Sequence, residues 1–440
     1  MTQYRSDTNV LLSSNKTIYE VVRLSDRLTP AGTATDAFGR LRISSPYTIF
    51  DSQHRYSLNE KWSTANTGTA NANTQYIIHQ SSVDMHVGTD TSDSTIRETK
   101  RVFVYQPGKS LLVMNTFAMA EAQANLVQRV GYFGSENGIF LEKNDANTCI
   151  VLRSNSTGSI IETRVPQIEW NKDKFDGTAN SYSHSVDDHG ALNTSNTNIF
   201  WIDVEWLGVG DVRCGFVVDG ILVPAHVFHH DNILKMPYMT TACLPIRYEI
   251  FNTGPTGNNS TLKQICSTVI SEGGYEADSL TYSISQPMND LKDLPTANND
   301  FYPLASIRLA NTRLDAIVVP TFLQMIGVTN NANYKYRLIL NAQLANTDWQ
   351  LHSGGSVEYD LAANNRLTNG NGGGVVLNEG FFSTDTKGGQ ITIGERNDFN
   401  LQIGRDLSGN SDIITLAATT DTAGADVGAV ISWNELVGTR

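Results

Sequence analysis

The chain has 440 residues, 40% of them apolar and 18% charged, with a formal net charge of −13 and an isoelectric point near 5.1. That length exceeds one ordinary core and predicts two to three domains; the acidic balance argues against a sequence-independent nucleic-acid binder, whose phosphate contacts need clustered Lys and Arg. With so few charges, Asn, Thr, Ser and 35 glycines must supply surface polarity, and they favour turns and strands over long helices.

Cys149, Cys214, Cys243 and Cys266 lie far apart without C-x-x-C spacing, which indicates neither a zinc site nor a disulfide framework and predicts free, buried thiols. The opening Met1-Thr2-Gln3-Tyr4-Arg5 lacks the apolar stretch of a signal peptide, and no apolar run is long enough to cross a bilayer. Neither export by a signal peptide nor membrane insertion is expected.

Taken in order, residues 1–35 are polar, with one alternating piece at 18–24 and a turn at Thr29-Pro30-Ala31-Gly32-Thr33. Residues 36–56 break this pattern, being dense in aromatic and basic side chains. If 40–43 is extended, Arg40 and Arg42 share one face and Leu41 and Ile43 the other, so one face is buried while the other presents guanidiniums. Pro46 should end that strand, and 47–50 should start another. Phe38, Leu41, Ile43, Tyr47, Ile49, Phe50 and Tyr56 gather more apolar surface than so short a piece can bury alone, which points to a partner surface. The predicted interface is Phe38, Arg40, Leu41, Arg42, Ile43, Tyr47, Phe50, Arg55 and Tyr56, within an attachment arm of residues 1–62. The blander reading is an ordinary hairpin edge with two exposed arginines.

Asp36-Ala37-Phe38-Gly39-Arg40-Leu41-Arg42-Ile43-Ser44, then Pro46-Tyr47-Thr48-Ile49-Phe50-Asp51-Ser52 and His54-Arg55-Tyr56, resembles a segment near the N-terminus of virion structural proteins of tailed bacteriophages. The resemblance implies a place on the virion as appendage, fibre, or neck or tail adaptor. It also implies other virion proteins as partners and symmetric homo-oligomers, trimers above all.

Residues 63–74 read as a loop. From 75 to 285 short strand-like runs recur at 101–105, 110–117, 127–133, 149–153, 159–165, 199–207, 212–218, 221–228, 241–251 and 262–270, the pattern of an antiparallel sandwich. Val217-Val218-Asp219-Gly220-Ile221-Leu222 fits a two-residue type I′ hairpin. That hairpin and the Arg129–Phe140 stretch, with its Gly-Tyr-Phe-Gly, resemble concanavalin- or laminin-G-like jelly rolls. A short helix is expected at 119–127. Proline-punctuated residues 286–303 suit a linker, and 304–440 a second, smaller sandwich with strands at 304–309, 314–319, 334–340, 356–361, 390–393, 399–403, 413–417 and 427–433. The fold expected is mainly β: two antiparallel β-sandwich or jelly-roll domains behind an extended N-terminal arm.

Among constellations, Trp201-Ile202-Asp203-Val204-Glu205-Trp206 is the most suggestive of catalysis. On a strand, Trp201, Asp203 and Glu205 share a face, at the separation of about 7 Å along the chain that glycosidase carboxyls use. The stretch resembles the Glu-x-Asp-x-Glu strand of jelly-roll glycoside hydrolases, but Trp201 stands where that family's nucleophile belongs, which removes the retaining mechanism. Trp201 and Trp206 are instead candidates for stacking on sugars. His226, His229, His230 and Asp231 read as surface or interface groups, Asp187-Asp188-His189-Gly190 as a solvated turn, and the glycine-rich 369–374 as a flexible loop lacking the Lys-Ser/Thr of a phosphate-binding loop. The chain is thus expected to be a non-enzymatic virion component without metal or cofactor. A carbohydrate-binding receptor protein, contacting host-surface glycan, is the alternative, and a glycan hydrolase the third reading.

Overall fold

In the computed structural model residues 3–4, 10–12, 18–20, 45–178, 190–274, 279–295, 300–362, 364–368, 370, 372–385, 389–394 and 401–436 are described. The chain divides into two units, Met1–Pro46 and Tyr47–Arg440. In the first, Gln3–Tyr4, Val10–Leu12 and Ile18–Glu20 form a three-stranded antiparallel sheet. Phe38, Arg40, Leu41, Arg42 and Ile43 lie outside the described residues.

The second unit holds two β-sandwiches, and the fold is of the antiparallel jelly-roll kind. One sheet of the first sandwich runs Ile161–Pro166, Asn147–Ser154, Gly138–Asn144, Leu126–Phe133, Ile246–Asn252, Ser94–Thr99, Trp62–Thr67. The facing sheet runs Ile221–Phe228, Val212–Val218, Asn198–Val204, Leu111–Ala118, Ser260–Ser271, Ser82–Val87, Asn73–Ile77, with Tyr47–Ser52 also paired to Ser260–Ser271. Period-two alternation builds the core between them: Leu111, Val113 and Phe117 from one strand meet Val130, Tyr132, Tyr248 and Ile250 from the other sheet, all buried. The Asp219-Gly220 turn has positive φ at both residues, 48° and 78°, as a type I′ hairpin requires.

The second sandwich packs a sheet of Ser279–Ser285, Ala425–Leu436, Ile317–Gly327 and Gly389–Gly394, with Lys292–Leu294 on Ala425–Leu436, against a six-stranded one. That sheet is Gln350–Leu351, Val357–Asp360, Tyr302–Leu309, Ile413–Thr420, Asn333–Leu340, Val375–Ser383. Trp433, Tyr334 and Leu416 fill its core. The sandwiches are joined by side chains and backbone alike. Arg405 Nη1 meets Glu98 at 2.9 Å, Gln402 Nε2 donates to Val102 O at 3.0 Å, and Val102, Val104, Ile317 and Leu436 make a shared apolar cluster.

Several expectations need correcting. Residues 47–62 are no free arm: Tyr47–Ser52 is hydrogen-bonded into a sheet, and Phe50 and Trp62 are in the first core. Trp62–Thr67 is a strand, not loop, because it pairs residue by residue with Ser94–Thr99. No helix forms at 119–127. The backbone N–H of Ala120 donates to Gln128 Oε1 at 2.7 Å and its carbonyl accepts from Gln128 Nε2 at 3.2 Å, so a side chain supplies the partners a helix would. Residues 101–105 join no ladder, although 102–105 are buried; Phe103 N donates to Leu244 O and Tyr105 N reaches Cys243 Sγ. The stretch 286–303 is not a bare linker, since Lys292–Leu294 pairs into the second sandwich and Leu294 is buried there. Ser279–Ser285 also belongs to that sandwich.

Candidate functional site

The described part of the 36–56 box divides by strand parity. Phe50 faces inward and is only 1% exposed, its ring 4.9 Å from that of Phe103 and 6.2 Å from that of Trp62. It is core, which corrects its place in the predicted interface: a strand inside a sheet must point alternate residues into the sandwich. Tyr47 faces out at 47% exposure, and past the strand Tyr56 is 78% exposed with the Arg55 guanidinium 4.9 Å from its ring centroid. The segment is thus anchored by one aromatic and displays two more with an arginine.

Neither tryptophan is an open sugar platform. Trp201 is buried, its indole N–H donating to Phe216 O at 3.1 Å and its ring packed on Gly215, where a Cβ would meet it at 2.8 Å. That corrects its proposed glycan contact. Trp206 is half-buried, edge-on to Tyr105 at 5.9 Å. Asp203 is ion-paired to Arg213 on the neighbouring strand, and burial nonetheless pushes its carboxyl above the usual range. Glu205 is exposed just beyond the strand.

The histidines do not converge. Burial, with His229 and Lys172 nearby, lowers His226 to about 4, so it is neutral; its Nδ1 accepts from Asn171 N. His229 reaches Asp211 at 3.0 Å, while His230 stacks on Tyr238 at 4.0 Å. Among the described residues no group of three His, Cys, Asp or Glu can hold a metal. Asp187, Asp188 and His189 lie outside them.

A site absent from the sequence reading lies on the outer face of the seven-stranded sheet. There, strands carry charges at alternate positions: Glu162 and Arg164, Arg153, Glu142, Arg129, Arg247 and Glu249, Glu98. Glu142 accepts from Arg164 Nε and Arg129 Nε, each at 2.8 Å. Arg153 bonds Glu162 at 2.7 Å and donates to Gly134 O at 2.8 Å; Arg247 meets Glu98 at 2.8 Å. Beneath them Phe133, Phe140, Cys149 and Val151 form an apolar patch, with the Arg153 guanidinium 5.0 Å from the Phe140 ring. A shallow groove of about 620 Å³ opens here, lined by Ser135, Arg153, Ile160, Glu162, Arg164 and Arg247.

Burial works against the charged form of Glu162, but Arg153 and its neighbours hold the carboxyl below its usual range. Hydrogen bonding to Glu142 raises Arg164 above its own. The groove therefore presents fixed N–H donors, a hydroxyl and the apolar Ile160, with Glu162 ionised. That suits recognition of a polar, extended ligand, whereas acid catalysis needs a carboxyl protonated near neutrality. Alternating charges in 161–164 and 247–249 were the legible signal: in strands apolar on one face, they mark the other.

No family model matches the chain, and no curated protein matches it. Solved structures do. A Shewanella oneidensis protein of unknown function is 13% identical, with 56% of this chain and 93% of that one covered and a TM-score of 0.33. For the Bacillus licheniformis β-glucanase the values are 12%, 50%, 96% and 0.30, and for peanut lectin 8%, 52%, 98% and 0.29. The likeness is one of fold and carries nothing about activity. Among the described residues no helix is long and apolar enough to cross a membrane.

Proposed function

We propose that this chain is a non-enzymatic structural component of a tailed-phage virion, an appendage, fibre or neck or tail adaptor, attached through its N-terminal box and assembled as a homotrimer. The observation that carries the reading is the box itself: its sequence resembles virion proteins, and its described half is rooted by Phe50 while Tyr47, Arg55 and Tyr56 stand exposed. Rooted aromatics beside a displayed arginine are the side chains that dominate docking surfaces. The non-enzymatic part is supported by Trp201 at the position of a nucleophile and by Asp203 held by Arg213.

The second reading, glycan recognition, is favoured by the arginine-lined groove. Both are tested on one molecule. A chain starting at Tyr47 with Arg55→Ala and Tyr56→Ala keeps Phe50 and both sandwiches, so it should melt like the full chain, fail to join particles, and retain binding on a glycan array. Incorporation of that chain at full occupancy overturns attachment through the box. Absence of array binding by the full chain overturns the glycan reading alone.

A further inference from the structure

Inside the first sandwich, at the edge closed by Trp62–Thr67, sits a charge without a counter-charge. Arg97 faces inward and is wholly buried. Its Nε donates across the core to Gln264 Oε1 at 2.6 Å and its Nη1 to Thr64 Oγ1 at 2.7 Å, while its guanidinium lies 5.8 Å from the Trp62 ring. Among the described residues no carboxylate pairs with it; neighbouring Glu98 points to the opposite face, held by Arg247 and Arg405. Removing a guanidinium from water is compensated only by an opposite charge or a full set of acceptors.

The polar atoms left over around Arg97 are mostly donors. Arg97 Nη2 meets no protein acceptor, nor does Gln264 Nε2, whose partner oxygen is already taken by Arg97. His54, fully buried, accepts from Asn59 N through Nδ1 at 3.3 Å, which leaves its proton on Nε2, also without an acceptor. Burial and the nearby Arg97 charge hold this imidazole neutral. Asn115, opposite Ser267 on the next strand, has both its polar atoms unmet, one donor and one acceptor, so it leaves the excess of donors unchanged.

We propose that these buried donors bind a small monovalent anion of the halide type, which neutralises Arg97 and accepts from Arg97 Nη2, Gln264 Nε2 and His54 Nε2. A halide is a single sphere that accepts from several directions and donates nothing. Water satisfies the donors but leaves the charge.

The test uses the intact protein. Its crystals grown with sodium bromide should show an anomalous peak within hydrogen-bond distance of Arg97 Nη2; water alone at that position overturns the proposal. In solution, replacing sodium gluconate by bromide at constant ionic strength should raise the melting midpoint, by roughly 2–5 °C per tenfold excess over Kd. Arg97→Met should abolish that rise. Equal midpoints in the two salts also count against the site, and the crystal decides even if the variant does not fold.

Discussion

Phe50→Ala separates core from interface within the docking box. The ring is 1% exposed, packs at 4.9 Å on Phe103 and 6.2 Å on Trp62, and has the Lys61 ammonium 5.6 Å from its centroid. A Phe→Ala change at so enclosed a site costs about 3–5 kcal/mol in lost transfer energy and cavity. For a domain the size of the first sandwich that is a fall of roughly 6–20 °C in Tm. Tyr56→Ala, at a residue 78% exposed, should stay within about 0.5 kcal/mol of the parent. Thermal and urea melts of both variants, beside their incorporation into particles, make the assay. The expected pattern is a large stability loss for Phe50→Ala, and for Tyr56→Ala weak incorporation at parental stability. If Phe50→Ala melted within about 2 °C of the parent, the anchoring argument would fail, because so small a shift means the cavity closed at almost no cost.

Glu142→Ala removes the carboxylate that Arg129 and Arg164 share, each at 2.8 Å, while Glu249 and Glu162 still pair with them and Arg164 is 40% exposed; a loss of about 1–3 kcal/mol in urea melts is expected, and no measurable loss would mean that the network is screened by solvent. Exposed Cys266 should alkylate first in the native protein and buried Cys214, its thiol pushed up by burial, last; a drop in Tm on adding reductant would contradict four free thiols. His54 and His226 are each lowered from 6.5 to about 4, so the unfolded chain takes up their protons first. Stability should therefore be full above pH 6.5 and fall between 6.5 and 4, by up to about 3 kcal/mol per histidine, and His54→Gln should flatten the slope; a melt independent of pH over that window would refute both assignments.

Much of the fold was readable because period-two alternation and turn chemistry are local. The Asp219-Gly220 hairpin and the strands Val212–Val218 and Ile221–Phe228 stand where the pattern puts them. What resisted reading was set by partners distant in sequence. Trp62–Thr67 carries Ser, Ala and Asn among its six residues, yet it is a strand because Ser94–Thr99 offers it a ladder. Residues 101–105 look like a strand and are not one, since Leu244 and Cys243 take their backbone groups. The groove arginines come from strands that reach one another only through the sheet order. Trp201 reads as an exposed ring until Gly215, on the adjacent strand, proves to leave room for it to be buried.

The same separation of local and distant partners explains why the box has one buried and one displayed face. Pro46 donates no backbone hydrogen bond, so pairing with Ser260–Ser271 begins only at Tyr47. From there Phe50 opposite Val269 and Ser52 opposite Ser267 commit one face to the core, with Trp62 Nε1 donating to Ser52 Oγ at 2.8 Å to close the end of the strand. Side chains on the other face, and those just past the strand, are left without that commitment. A pull on Tyr47 or Arg55 from a bound partner is then carried by a ladder of backbone bonds in shear, with an aromatic plug behind it, and to release it the sheet must open. If the box attaches as proposed, a point embedded in this way would transmit load to the sandwich as one body, which a flexible tether cannot do.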